Sequence, residues 1–135
     1  MLAAVHPAQI LSYNKMLGQI QDAGNTATLA HYLKLLESAL LISGLELFRG
    51  GIRQKRDSSP KLIIWNNGII NALRGDFLKD SRNDFSWWGR LIENAVGAYL
   101  LHHLGDMPYA VYYGGTKGWR LILSLRPPSR YGGWR

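Results

Sequence analysis

The chain has 135 residues, 47% of them hydrophobic and 19% charged, and it contains no cysteine. This composition excludes an intrinsically disordered protein, a disulfide scaffold and a thiolate metal site. The formal charge of +7 suggests nucleic acid as a partner, but five of the positive charges lie after Tyr113 and the rest carries only +2. No signal-peptide pattern and no run of about 20 apolar residues is present, so we expect a cytoplasmic protein without a membrane partner.

The first part of the chain predicts two helices followed by two strands. Ser12 is a plausible N-cap of a short helix, and Asn25 or Thr26 caps a longer one. Apolar residues recur at helical spacing in the longer helix. A basic loop separates the stretches "ALLISGLELF" and "KLIIWN", which predict the strands. Two helices and a β-hairpin predict a winged-helix segment over residues 8–66.

The second part predicts helices and a further strand. "NGIINALRG" is typical of a short helix that ends at Gly75, and residues 87–105 predict the strongest helix, with Gly105 as its C′ residue. "YAVYY" predicts a buried strand. The expected fold class is therefore α/β, in the broader sense of α+β. The long helix has one apolar face, formed by Leu91, Ile92, Ala95, Val96, Tyr99 and Leu100.

Candidate contacts to nucleic acid are few. The second helix is expected to carry His31, Lys34 and Glu37 on its outward side, which is a poor set for binding phosphates. The helix pair is therefore interpreted rather as a structural or partner-docking winged helix. The loop between the strands could contact phosphates as a wing, or it is a solvated hairpin tip. Its basic residues are Arg49, Arg53, Lys55 and Arg56.

Glu93 is the main candidate for chemistry. It stands in the otherwise apolar stretch "LIENAVGAYLL". It is either a surface carboxylate at the edge of an amphipathic helix or a metal-binding acid of a nuclease-like core. His102 and His103 are adjacent and so face different directions on a helix, which predicts no metal pair. The chain has no G-x-x-x-x-G-K-[ST] loop, so by itself it is not a P-loop ATPase.

Three stretches in order carry a family resemblance: "TLAHYLKLLESALLISGLELF", "SPKLIIWNNGIINALRG" and "WWGRLIENAVGAYLLHHL". They resemble the C-terminal domain of unknown function that follows an AAA+ ATPase core in many prokaryotic proteins. The resemblance covers about residues 9–113 and implies a winged helix followed by a restriction-endonuclease-like α/β core, here residues 67–113 and incomplete. Glu93 matches the family's helix acid, whereas Asn66 stands where the family often has Asp.

The resemblance implies a parent protein that uses ATP and Mg²⁺. The partner of this chain would be an ATPase core, in the same protein or in another chain. For the chain itself we expect no cofactor, no metal site and no catalytic residue, with Glu93 as a vestigial candidate.

The end of the chain departs from the family pattern. The family continues with "YYWR" and "EVDFV", but Tyr113 is followed by "GGTKGWRLILSL". Codons for this stretch, read from the third base of the Tyr113 codon, can encode W-R-D-K-G-V-E-V-D-F-V-L. We therefore hypothesise a frameshift near Tyr113, so that residues 114–135 are an off-frame tail and the chain is a truncated remnant. "WRLILSL" could still form a strand.

These observations leave three interpretations. The first is an accessory fragment of an AAA+ type ATPase, now an interaction module or gene remnant without catalysis. The second is a small winged-helix DNA-binding protein with a basic C-terminal tail. The third is an active metal nuclease, which needs more acids than the chain shows.

Overall fold

The computed structural model describes residues 6–20, 24–48, 59–75, 82–104, 110–116 and 119–126. These ranges form a mixed α/β arrangement of four helices and four strands. The helices are α1 (Tyr13–Leu17), α2 (Thr26–Ser38), α3 (Asn67–Arg74) and α4 (Phe85–Leu104). The strands are β1 (Ile42–Leu47), β2 (Lys61–Ile64), β3 (Ala110–Thr116) and β4 (Trp119–Arg126).

The predicted helix ends are confirmed at three places. The Ser12 hydroxyl accepts a hydrogen bond from the backbone N–H of Lys15, and the Asn25 side chain accepts one from the N–H of Thr28 at 2.9 Å. Each bond satisfies a backbone donor that has no partner within its helix. Gly75 ends α3 in a left-handed conformation, with φ of 72°. Gly105 lies outside the described residues.

The four strands form one sheet in the order β2-β1-β3-β4. β1 runs antiparallel to β2 and parallel to β3, and β3 runs antiparallel to β4. The strand expected within "WRLILSL" is therefore present as β4. The sheet joins strands from both predicted segments. The α/β class is confirmed, while the winged-helix and nuclease-like folds and the boundary at residue 66 stay predictions.

Helices cover both faces of the sheet. On one face, a methyl group added to Gly44 of β1 would lie 3.0 Å from the Leu33 side chain of α2. On the other face, a methyl group added to Gly97 of α4 would lie 2.8 Å from the Ile63 side chain of β2, which is too close for a carbon atom. Glycine therefore allows each helix to lie directly on its strand. Between the helices, β2 is buried at all four residues.

The apolar face that the sequence shows on α4 does not face the sheet. Leu91 is buried, but Ile92, Val96 and Tyr99 are exposed by 49%, 45% and 60%. The reason is that the side of α4 that meets β2 carries a polar residue and a glycine. The buried residues of α4 are Trp87, Leu91, Asn94 and Gly97.

The outer edge of β2 is hydrogen-bonded by two different parts of the chain. The backbone N–H of Ala8 donates to the Leu62 carbonyl at 2.9 Å, and the Leu62 N–H donates to the Gln9 carbonyl at 3.0 Å. Further along, the Asn94 side chain supplies the hydrogen bonds that a neighbouring strand would supply. It accepts from the Ile64 N–H at 2.8 Å and donates to the Ile64 carbonyl at 2.7 Å. Buried backbone groups need such partners.

We predict that Asn94→Leu destabilises the domain by about 2–4 kcal/mol, because it leaves the Ile64 N–H and carbonyl buried without partners. The free energy of unfolding in urea measures this loss. Asn14→Leu, at an exposed asparagine of α1, is the control and should change stability by less than about 0.5 kcal/mol. Equal stability of the two variants would show that Asn94 does not hold β2.

Candidate functional site

The central polar feature is an ion pair between Lys61 at the start of β2 and Glu93 of α4. The Lys61 ammonium donates to Glu93 Oε1. The Lys61 side chain is only 3% exposed, and that of Glu93 is 21% exposed. An ammonium group buried without a partner is strongly destabilising, so Glu93 is what allows Lys61 to lie inside the domain.

The spacing of helix and strand explains why these two residues meet. Lys61 and Ile63 lie two residues apart and point to the same face of β2. Glu93 and Gly97 lie four residues apart, on one side of α4. Both spacings span about 6–7 Å. Since Gly97 rests on Ile63, Glu93 is brought level with Lys61.

A cleft of about 270 Å³ opens beside the ion pair. The Gln9 amide lies between the Arg90 guanidinium and the His6 ring at this cleft. Its oxygen accepts from Arg90 Nη2 at 2.9 Å, and its nitrogen donates to His6 Nδ1 at 3.1 Å. The cleft therefore contains two basic side chains and one carboxylate that is already paired. Its lining residues are Ala8, Gln9, Ile10, Lys61, Arg90 and Glu93.

Glu93 is thus not a free surface carboxylate, and among the described residues it is not part of an acidic cluster. The described ranges contain no group of three or more His, Cys, Asp or Glu side chains that could hold a metal ion. Hard cations such as Mg²⁺ prefer several oxygen ligands. The arrangement around Glu93 can hold an ammonium group and stabilise the fold.

The adjacent histidines of α4 have different neighbours. His102 contacts the Trp65 ring edge-on, with the centroids 6.0 Å apart. His103 stacks on Tyr99 at 3.9 Å. Their surroundings differ, as expected for consecutive positions of a helix.

The candidate nucleic-acid residues are only partly described. Lys34 is exposed on α2, but its exposed neighbours Tyr32 and Leu35 are apolar. The expectation that Glu37 faces outward is wrong, since its carboxylate accepts from the Gly44 N–H of β1 at 2.7 Å. The basic loop residues Arg49, Arg53, Lys55 and Arg56 lie outside the described residues.

A comparison with protein families gives one match. The model of a domain of unknown function, DUF8612, matches residues 1–80. The chain belongs to the DUF8612 family. The match contains Lys61 but ends before α4 and Glu93. No curated protein and no solved structure matches the chain, so the AAA+ association stays a prediction.

None of the described helices has the length and hydropathy that crossing a membrane requires.

Sequence reasoning identified Glu93 but missed the residues that give it a role. Lys61 carries a weak signal, because it is a charge at the start of a strand with three apolar residues in succession. Asn94 carries another, as a polar residue beside Glu93 in an apolar stretch. Neither signal identifies the partner, because the contacts join residues about 30 positions apart.

A double-mutant cycle tests the structural role of the ion pair. We expect Glu93→Met to cost about 3 kcal/mol, because it leaves the Lys61 ammonium buried and unpaired. Lys61→Met should cost less, since water can still reach part of Glu93. The double variant should recover most of the loss. Urea unfolding of all four proteins measures the cycle, and simple addition of the two losses would argue against the pair.

Proposed function

We propose that this chain is an accessory domain that binds an AAA+ type ATPase and performs no catalysis itself. The resemblance of its three stretches to the domain that follows such ATPases supports this proposal. The observation that carries it is the outer face of α2, where Tyr32 and Leu35 are each 51% exposed and Leu40, just beyond the helix, is 59% exposed. Exposed apolar groups that lie together are typical of protein-binding surfaces.

The backbone conformation of Leu40 is the strongest argument that this surface binds a partner. Its φ is 54°, in the left-handed region that residues with a side chain rarely adopt. Two backbone bonds hold the turn: Leu40 N–H to the Glu37 carbonyl and Leu41 N–H to the Leu36 carbonyl, both at 3.0 Å. Glycine is the usual residue at such a helix end. A leucine that is both strained and exposed supports a role in binding.

The ion pair also favours binding over catalysis. A nuclease of the metal-dependent kind uses two or more carboxylates around its cation, whereas Glu93 is paired with Lys61. The α2 surface favours a protein over DNA. Phosphates are bound by Lys and Arg, and of the outward residues of α2 only Lys34 is a lysine or arginine.

DNA binding is the second hypothesis, and the charge of +7 favours it. It requires binding that weakens steeply as salt rises. Removal of residues 127–135, which carry Arg130 and Arg135, should weaken that binding further. Protein binding through α2 should not depend on this segment.

The first experiment is to sequence the encoding DNA, including the regions upstream and downstream of the gene. The proposal expects a P-loop ATPase encoded immediately upstream, in the same or a neighbouring reading frame. The frameshift hypothesis expects the shifted frame after Tyr113 to encode W-R-D-K-G-V-E-V-D-F-V. If the upstream DNA encodes no P-loop protein, the main support for an ATPase partner is lost. DNA binding then becomes the hypothesis to test.

We predict that Leu40→Gly changes stability and binding in opposite directions. It should stabilise the domain by about 1 kcal/mol, because glycine adopts a left-handed conformation without strain. It should weaken binding to the upstream ATPase at least about 10-fold, because the apolar contact is lost. Urea unfolding and calorimetric titration measure the two effects.

Two further variants make this test specific. Leu35→Ala should also weaken binding, whereas Leu73→Ala, at an exposed leucine of α3, should leave it unchanged. Binding of Leu40→Gly and Leu35→Ala at wild-type affinity would refute the assignment of α2 as the docking face.

A further inference from the structure

The cleft beside the ion pair has more hydrogen-bond donors than the described residues use. All three nitrogens of the Arg90 guanidinium point at one oxygen, that of the Gln9 amide, with Nη2 at 2.9 Å and Nε at 3.2 Å. A guanidinium has five N–H donors, whereas an amide oxygen has two lone pairs. Most of the Arg90 donors therefore have no acceptor in the described part of the chain.

The positive charge of Arg90 is also uncompensated. Glu93 lies three positions further along α4, a spacing at which opposite charges on a helix can pair, but it pairs with Lys61 instead. Within the described ranges, Arg90 has no carboxylate partner. A guanidinium binds a carboxylate through two parallel, charge-assisted hydrogen bonds that are about twice as strong as neutral ones. The neutral Gln9 amide therefore holds Arg90 less strongly than a carboxylate would.

Lys61 brings a second cation to the same cleft. Its side chain is 3% exposed, and it lines the cleft together with Arg90 and Glu93. An ammonium group has three N–H donors, and in the described part of the chain Lys61 uses one of them, on Glu93. Buried donors without acceptors are destabilising. The remaining donors of Lys61 therefore favour an acceptor that enters from the cleft.

We propose that this cleft binds a small organic monocarboxylate, whose oxygens displace the Gln9 amide from Arg90 and accept from Lys61. The two cations and one carboxylate that line the cleft leave one positive charge uncompensated, which matches a single negative charge. A phosphate carries more than one negative charge at pH 7 and would lie close to the Glu93 carboxylate. The charges therefore favour a carboxylate over a phosphate.

The other walls of the cleft suit the carbon part of such an acid. Ala8 and Ile10 line the cleft on either side of Gln9 in the sequence. Apolar walls with a few convergent polar groups are typical of small-molecule sites. The volume of about 270 Å³ has room for about nine water molecules, which is enough for an acid of several carbons. The proposal goes beyond the ATPase-binding function and does not rest on it, because no residue that lines the cleft belongs to α2.

Titration of the full-length chain with sodium isobutyrate, followed by NMR at constant pH and ionic strength, tests the proposal. An acid of about six non-hydrogen atoms should bind in the millimolar range. The backbone N–H signals of residues 8–10 and the Arg90 Nε–H signal should shift and reach saturation. Isobutyramide has the same shape without the charge and should leave these signals in place. Inorganic phosphate should bind at least about 3-fold more weakly, because Glu93 repels it.

Variants at the cleft should change the affinity in opposite directions. Arg90→Gln should weaken isobutyrate binding at least about 10-fold, because the charge-assisted hydrogen bonds are lost. Arg82→Gln removes the same charge from an exposed arginine outside the cleft, and this matched control should bind as the wild type does. Gln9→Ala should tighten binding about 3-fold, because the acid no longer has to displace the amide. Thermal unfolding of each variant shows whether it is folded, and Gln9→Ala tests the proposal even where Arg90→Gln does not fold.

A further probe identifies the kind of carboxylate. The carboxylate could belong to a free acid or to the C-terminus of a peptide, and N-acetyl-alanyl-leucine carries the second kind. Tighter binding of this peptide than of isobutyrate would assign the cleft to a chain end. Equal or weaker binding would assign it to a free acid, and either result supports a carboxylate site.

Four results would overturn the proposal. The first is wild-type protein whose signals at residues 8–10 show no saturable shift in the millimolar range. The second is isobutyramide binding as tightly as isobutyrate, and the third is phosphate binding more tightly. The fourth is equal affinity of Arg90→Gln and Arg82→Gln for isobutyrate. Weaker binding by Gln9→Ala would refute the displacement of the amide. Loss of ATPase binding in the α2 variants should leave these titrations unchanged, so the two proposals can fail separately.

Discussion

The outer edge of β2 is the constraint on which the rest of the structure depends. β2 is buried at every residue, and β1 pairs with only one of its edges. Each buried backbone group left without a partner would cost about 1–3 kcal/mol. The segment around Ala8 and Gln9 covers one part of the free edge, and the Asn94 amide covers the other. Because Asn94 must reach Ile64, α4 is held against β2 in one register.

The register of α4 in turn decides what Glu93 can do. With Asn94 on Ile64 and Gly97 on Ile63, Glu93 comes level with Lys61. A buried ion pair adds little net stability compared with apolar residues of the same size, but the loss of either partner is destabilising. In the described part of the chain, the carboxylate that stands where the resemblance places a site acid is the partner of a buried lysine.

The sequence predicts local features well and distant contacts poorly. Ser12, Asn25 and Gly75 could be identified because a cap acts on residues three or four positions away. The strands could be identified from their β-branched and apolar runs. The parallel pairing of β1 with β3 could not, because it joins residues more than 60 positions apart. The same holds for the partners of Lys61 and Asn94. The interpretation of Glu93 therefore depended on contacts that no local pattern contains.

The orientation of α4 also depends on a contact that its own sequence pattern does not contain. A surface helix normally buries its apolar side, and the pattern of α4 suggests that orientation. The contact with β2 instead requires a polar Asn94 and a small Gly97, so the larger apolar residues point outward. Apolar area of this size favours association.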